Sequence, residues 1–446
     1  MSKLLRHLLS FLFTEYAWTT EMAVTGVGDI DSAIPEFWAK GILTDANRES
    51  FWGSLSGKEG SRMPVIDKTG PLKTKGDTLR FNTIAQLMGT GVTGENVLKG
   101  NEETLSIGVF TVSCDVVRHA VAVSRKSTKQ ANFNEVQTAG SLLKEWMTRK
   151  MDNDAFTEII DNSDNTLYSN SGTHTDESTM RDDNSDEFGM SELDMIRIAL
   201  LRNGAEPIQI RRQNRRTIPV YGVAFGEIEE YRLYQNTAFL QTIRETWERF
   251  RGGVEHPLVN NAIGMFKNLL LYRYYSVLPI PQGTKLRPET TVYATLTTTA
   301  THLSVGGASA STGVTPNYTL FFASAGSLQI NDEVISYTGK SNNTFTGLSR
   351  GQPEYVGGSA TTAVQHSQNA LVTQRNIASV IGFGAEALFR AIGDDPEPVG
   401  QKDDYSEQIG LGIRAYYGQK LKKDSRRSNS KNVVVLKCWS ENPGTV

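Results

Sequence analysis

Apolar and polar positions alternate most clearly between residues 75 and 125. Leu79 and Phe81 alternate with polar neighbours, and so do Leu105, Ile107 and Val109, which predicts two half-buried strands. The run between them carries Gly89, Gly91, Gly94 and Gly100, so its backbone is permissive and it has almost nothing to bury locally. A two-stranded arm of this kind is marginal alone and needs something to pack on, and the expectation is another copy of the chain. A third strand follows directly, with Val117, His119, Val121 and Val123 on one face.

Further along, the apolar period becomes helical. Leu143, Met147, Met151, Ala155 and Ile159 form an i+4 row flanked by Ala139, Leu142 and Trp146. With Asn134 as N-cap and Gln137 three residues on, this predicts one long helix over 134–160. Shorter helices are expected over 35–55, with Trp38, Ile42 and Leu43 as the apolar side, over 191–203 and over 226–244. Strands are expected over 217–224, 269–277 and 433–438. Residues 161–189 are acidic, rich in Ser and Asn and nearly free of apolar side chains, which reads as a long exposed loop.

Residues 291–372 differ in kind. Their only charged side chains are Asp332, Glu333, Lys340, Arg350 and Glu354, and Thr, Ser, Gly and Ala dominate. Short strand candidates at 328–330, 334–337 and 345–348 are separated by turn dipeptides, which predicts an all-β module inserted into a host domain. Its small core is expected from Leu328, Ile330, Val334, Ile335, Phe345 and Leu348.

Length and charge narrow the function. A chain of 446 residues is long enough for two or three domains. A net charge of -3, from 46 basic and 49 acidic residues, lacks the footprint of a dedicated nucleic-acid binder. Cys114 and Cys438 lie far apart in sequence and are expected as reduced thiols. The row Leu4, Leu5, Leu8, Leu9 and Leu12 reads as an amphipathic arm or a processed leader, with Met22 as a plausible internal start. No apolar run reaches the length of a membrane span.

Candidate chemistry is thin. Gly89-Thr-Gly91-Val-Thr-Gly94 fits a dinucleotide fingerprint in letters, but a strand and not a helix is expected to follow it. Gly53 to Lys58 is one residue short of a phosphate loop. Asp182, Asn184 and Asp186 imitate a calcium loop, yet Glu187 replaces the turn glycine and Leu193 the bidentate glutamate. The six histidines form no ligand pair, and no G-x-S-x-G elbow occurs. Two basic clusters, Arg211, Arg212, Arg215 and Arg216, and Lys420, Lys422, Lys423, Arg426 and Arg427, lack interleaved aromatics for stacking. The chain therefore reads as a non-enzyme with no catalytic, cofactor-binding or metal residues.

The order of motifs points further. PEFWAKGILTDANRESFW, KGDTLRFN, LMGTGVTGENVLKGNEETL, RHAVAVSRK and the segment from Trp146 to Asp152 resemble, in this order, the major capsid protein family of Enquatrovirus-like tailed phages. PVYGVAFGEIEEYRL, HPLVNNAIGMFKNLLLYRY, RNIASVIGFGAEALFRAIG, DDYSEQIGLGIRAYYGQKL and NVVVLKCW continue the resemblance. It covers most of residues 34–439, apart from the acidic loop and the β-rich insert; the leader before Met22 also has no counterpart.

The resemblance implies an α+β fold of the Hong Kong 97 type. In that fold an N-terminal arm leads to an extended loop, here 75–112. A peripheral domain carries a long spine helix, here 134–160. An axial domain covers about 191–391, and a C-terminal strand returns to the peripheral domain. The boundaries implied are 1–60 for leader and arm, 61–125 for the extended loop and the start of the peripheral domain, and 126–190 for spine helix and acidic loop. They continue with 191–290 axial, 291–372 inserted β module, and 373–446 axial remainder and C-terminal strand. Lys75, Gly76, Asp77, Gly94, Gly100, Asn101, Glu102, Glu103, Arg118 and His119 match family motifs and are expected at subunit contacts.

The implied function is a major capsid protein of the virion, assembled in the host cytoplasm into pentamers and hexamers of an icosahedral shell. Implied partners are further copies of the chain, a scaffolding protein, a portal and decoration proteins. DNA would be enclosed without sequence-specific binding, and neither a cofactor nor a membrane is involved. The alternatives are an encapsulin-type compartment shell of the same fold, or a protein that binds glycans or a host surface through its β insert.

Overall fold

The computed structural model describes residues 50–69, 78–84, 87, 89–105, 107–126, 135–170, 174–180, 185–211, 217–251, 262–274, 285–306, 317–355, 358–393, 397–403, 408–423 and 429–440. The leucine row near the N-terminus, Met22, most of the helix expected over 35–55, Asn134 and the triplet Lys75, Gly76 and Asp77 lie outside these residues.

In chain order the described elements begin with a short helix α1 (Phe51–Ser54), strands β1 (Ser56–Lys58) and β2 (Val65–Thr69), the paired strands β3 (Thr78–Ile84) and β4 (Ile107–Ser113), and β5 (Asp115–Ser124). The long helix α2 (Glu135–Asn162) follows, then β6 (Thr166–Tyr168), α3 (Met190–Arg202), β7 (Ile208–Arg211) and β8 (Thr217–Phe225). Next come α4 (Glu227–Gln235), α5 (Thr237–Arg251), β9 (Gly264–Phe266) and β10 (Leu269–Arg273). The β-rich region supplies β11 (Glu289–Thr291), β12 (His302–Ser304), β13 (Gly326–Ile330), β14 (Glu333–Tyr337), β15 (Gly339–Ser341), β16 (Thr344–Thr346), β17 (Ser349–Gln352) and β18 (Leu371–Thr373). The chain ends with β19 (Ile377–Phe383), β20 (Leu388–Ile392), β21 (Glu397–Asp403), β22 (Gln408–Leu421) and β23 (Val433–Trp439).

Two sheets carry the body of the protein. A six-stranded sheet runs β1-β2-β20-β22-β21, with β5 also paired to β22. A seven-stranded sheet runs β6-β23-β19-β8-β10-β9, with β7 paired to β8. Helix α2 joins them. Its buried row Ala139, Leu143, Met147, Met151, Ala155 and Ile159 advances four residues at a time, and each such step turns the stripe by about 40°. Over the five steps from Ala139 to Ile159 the stripe turns by about 200°, so the two halves of the helix face different ways. Leu143, Met147 and Met151 pack on Ile413, Ala415 and Tyr417 of β22 in the first sheet. Ala155, Phe156 and Ile159 pack with Val220, Ala224, Ile381 and Val435 of the second.

The opposite face of the seven-stranded sheet is covered by Leu193, Ile196 and Leu200 of α3, Leu233 of α4 and Phe239 of α5. Gly382 allows this approach, because a Cβ there would lie 2.2 Å from Ile196. Asn236 ends α4 and caps α5, accepting from the amides of Ala238 and Phe239 at 3.0 and 3.3 Å. The single helix expected over 226–244 is therefore two.

Strand β23 pairs with β19 and β6 in the seven-stranded sheet and packs Val433 and Val435 with Phe156 and Ile159 of α2, while β22 is the late strand that runs beside β5. One further expectation is corrected: residues 161–189 are not simply an exposed loop. Strand β6 adds to the edge of β23, and Met180, Phe188, Ser169 and Asp186 are buried. Backbone pairing and a few scattered apolar anchors suffice to hold an acidic segment down, and neither gives a periodic signal.

The region from β11 to β18 forms a five-stranded sheet, β11-β18-β13-β14-β17, and a three-stranded one, β12-β16-β15. Leu303, Leu328, Ile330, Ile335, Tyr337, Phe345 and Val372 make a cluster of their own. Its first and last strands, β11 and β18, pair with each other, so the chain enters and leaves at one place.

One buried carboxylate ties the start of the described chain to the spine. Asp152 accepts from Ser50 Oγ at 2.5 Å, Phe51 N at 3.0 Å and Trp52 N at 3.2 Å, closing the N-terminus of α1. Burial raises its pKa, and these hydrogen bonds act against that rise. Asp152→Ala removes the acceptor of two buried donors, Ser50 Oγ and Trp52 N, and of the partly buried Phe51 N. We expect it to cost about 3 kcal/mol of subunit stability, read as a lower urea midpoint at unchanged slope. An unaltered midpoint would show that α1 does not depend on the carboxylate.

Candidate assembly interface

The antiparallel pair β3–β4 forms the arm expected near residues 75–112, and its register sorts the side chains into two faces. Leu79 sits opposite Val112, Phe81 opposite Phe110, Asn82 opposite Val109 and Ile84 opposite Ile107. On the inner face Leu79, Phe81 and Val112 are buried with Ile66, Cys114, Phe389 and Ala391. Phe389 of β20 meets the Phe81 ring edge-on at 4.6 Å and the Phe110 ring at 5.6 Å. Lys68 lies over the Phe81 ring at 4.9 Å and Lys420 over that of Phe110 at 5.4 Å, with Lys420 Nζ donating to Thr111 O at 3.1 Å. The root of the arm is thus fixed to the six-stranded sheet.

The outer face has no such cover. Leu105, Ile107 and Val109 are 66%, 65% and 59% exposed, and Val97 and Leu98 at the tip are 69% and 61% exposed. The alternating row read as half-buried in β4 is therefore the face this subunit leaves in water, while Phe110 and Val112, of the opposite parity, hold the strand down.

The tip is shaped by its own polar groups. Glu103 accepts from Gly89 N at 2.6 Å and Glu102 from Gly100 N at 2.7 Å. Asn101 donates to Val97 O at 3.0 Å, and Asn96 to Thr93 O at 3.0 Å. Gly94 and Gly100 have φ of 72° and 93°, left-handed values at which a side chain is strained even though the space around both is open. Glu102 and Glu103, expected at a subunit contact, are thus engaged inside the loop, where they set the shape that Val97 and Leu98 present.

The structure brings together Gly94, Gly100, Asn101, Glu102 and Glu103 at the tip. It does not bring Arg118 and His119 to them, because both lie on β5. The His119 ring stacks on Trp146 of α2 at 4.5 Å, and burial lowers its pKa. Arg118 has the opposite parity and is exposed. Lys75, Gly76 and Asp77 lie outside the described residues.

A second polar centre, missed by motif reading, lies in the β-rich region. Glu333 is buried and accepts five hydrogen bonds: from Arg350 Nε and Nη2 at 2.7 and 2.6 Å, Gly351 N at 3.1 Å, Val364 N at 3.0 Å and His366 Nε2 at 2.8 Å. Burial alone would raise its pKa, but the donors from Arg350, Val364, His366 and Gly351 bring it down to about 2. Glu333, Arg350 and His366 lie far apart in sequence; the one available hint was charge in a segment nearly without it. With its lone pairs occupied, Glu333 serves as a structural post. No group of three or more His, Cys, Asp or Glu side chains among the described residues is arranged to hold a metal ion. Asp186, from the calcium-loop imitation, is bonded to His174 Nε2 at 2.9 Å, while Asp182 and Asn184 lie outside the described residues. Both cysteines are buried and neither is in a disulfide.

Residues 25–177 match the family model of phage capsid proteins. No curated protein matches the sequence. Among solved structures, the capsid of Ralstonia phage GP4 is 14% identical, with a TM-score of 0.59 over 90% of this chain and 93% of that one. The capsid of cyanophage Pam1 is 15% identical, with a TM-score of 0.55 over 89% and 93%. The capsid of Helicobacter pylori bacteriophage KHP30 is 14% identical, with a TM-score of 0.51 over 86% and 89%. The chain therefore has the α+β capsid fold of the Hong Kong 97 type.

The Glu333 network carries a pH dependence whose sign is set by its low pKa. An unfolded glutamate titrates near 4.5, so the stabilisation is complete above that pH and is lost as pH falls toward about 2. Acid titration followed by hydrogen exchange should show β13 and β14 losing protection in that window. Glu333→Gln should cost about 3–5 kcal/mol at neutral pH by leaving the Arg350 charge buried without its partner. Equal protection of the two strands at pH 3 and pH 7 would contradict the assignment.

Proposed function

We infer that the chain is a major capsid protein that forms the shell of a phage head. The observation that carries this reading is the arm, whose root is fixed by an aromatic cluster and whose outer face exposes Leu105, Ile107 and Val109 with Val97 and Leu98 at its tip. Covering each of these side chains with a neighbouring copy contributes about 1.5–3 kcal/mol before the costs of association. A closed shell repeats such a contact many times, so a modest interface is enough. The role is structural and the protein's place is the virion; the fold match and the phage capsid family match over residues 25–177 support both.

The finer reading is that the chain belongs with the capsid proteins of Enquatrovirus-like phages, as the order of its motifs suggests. In this reading the ten residues from Lys75 to His119 named above serve subunit contacts, the shell consists of pentamers and hexamers, and scaffolding, portal and decoration proteins join it. The six-stranded sheet with the first half of α2 is the peripheral domain, and the seven-stranded sheet with α3 to α5 is the axial domain. The region between β11 and β18 is a module inserted into the axial domain, supported by its separate core and by the pairing of its two ends.

Two experiments test these statements. Ile107→Asp with Val109→Asp should leave the subunit folded by circular dichroism but abolish particles in electron micrographs when the protein is co-expressed with its scaffolding protein. Normal particles from this variant would remove the arm's outer face from the assembly contact. Replacing residues 291–372 by a short Gly/Ser linker should still give particles, since a surface insertion whose ends meet is lost cheaply. An insoluble subunit would make the region part of the axial core.

A further inference from the structure

The connections into and out of the β-rich region meet at one polar junction. Before β11, Arg287 Nη1 donates to Ser440 Oγ at 3.1 Å, and Arg287 Nε lies 2.5 Å from Glu289 Oε1. Ser440 lies just after β23. Its hydroxyl donates to Glu229 of α4, and its amide donates to Asn376 O at 2.6 Å. After β18, Thr373 Oγ1 donates to Asn376 Oδ1 at 2.7 Å.

The turn from β18 into β19 uses two consecutive non-glycine residues in the left-handed region, Arg375 at φ 54° and Asn376 at φ 49°. Such a backbone persists only where its surroundings hold it. The side chain of Arg375, 8% exposed, supplies that hold. Nη1 donates to Glu177 O at 2.7 Å, and Nη2 donates to Met180 O at 3.0 Å and to Glu354 O. The first two carbonyls belong to the acidic segment after β6 and the third to the chain beyond β17 of the β-rich region. A guanidinium can do this because its donors are fixed in one fork; an ammonium is a single point with no such span.

We propose that Arg375 couples two parts of the surface, locking the β-rich region to the seven-stranded sheet while pinning residues 177–180, so that both are held together and released together. The coupling is reciprocal, as linkage requires: whatever shifts the β-rich region changes how firmly the acidic segment is held, and the reverse. Nothing in this depends on the capsid reading, because the contacts lie within one chain.

Hydrogen exchange on the full chain tests it, with Arg375→Ala compared with the unaltered protein. Peptides covering 177–180 and 353–355 should both exchange about tenfold faster, while those over β13 and β14 keep their protection. A rise in only one of the two segments, or in neither, overturns the proposal. If Arg375→Ala loses protection throughout, Arg375→Lys is read by the same criterion, since it keeps the charge and the stem but cannot span three carbonyls.

Discussion

The structure depends on a helix that serves two sheets. Because a four-residue row drifts around the helix axis, the 28 residues of α2 present Leu143, Met147 and Met151 to β22 and, further along, Ala155, Phe156 and Ile159 to the seven-stranded sheet. A strict coiled-coil stripe would have faced one partner along its whole length. The two sheets also meet directly in the cluster around Trp52 and Phe156, where Val65, Leu388 and Leu421 of the first lie with Val220, Ile381 and Val435 of the second. Asp152 lies where the stripe passes from one sheet to the other and also receives α1, so the N-terminal approach to the body is set at the same point.

In the proposed shell function, the arm turns this rigid frame into an assembly device. Its inner face is satisfied within the subunit by Phe389 and the lysines over the rings, while its outer face is left in water. An arm fixed at its root loses little freedom when its free face is covered, which favours association without demanding a large interface. The internal hydrogen bonds of Glu102 and Glu103 act in the same direction at the tip, where a loop with three left-handed glycines would otherwise sample many shapes.

Buried charge is used here to set geometry. Asp67 and Arg390 face each other across β2 and β20 in a two-pronged pair at 2.7 and 2.8 Å, Glu333 of β14 gathers β17 and the 364–366 segment, and Arg375 gathers segments far apart in the chain. Each such group is costly to bury unless every partner is in place, so each tolerates one arrangement and penalises near alternatives.

Periodicity determined part of the elements: the long helix, the arm strands and β5, β8, β10, β13, β14, β16 and β23 were legible because side-chain spacing reports backbone type directly, whereas β19, β20 and β22 of the two large sheets were not read from it. The small core of the β-rich region was also legible, as Leu328, Ile330, Ile335 and Phe345 show. What spacing cannot report is which parity of a strand finds a partner. In β4 the residues Ile107 and Val109 form as good a row as Phe110 and Val112, and only the position of Phe389, some 280 residues later, decides between them. The same holds for β23, whose apolar run suits either sheet and is assigned by pairing with β19 and β6. The polar posts were silent for a related reason: Asp152, Glu333 and Arg375 are ordinary residues until the fold brings distant donors and acceptors around them, and that proximity exists only in the tertiary structure.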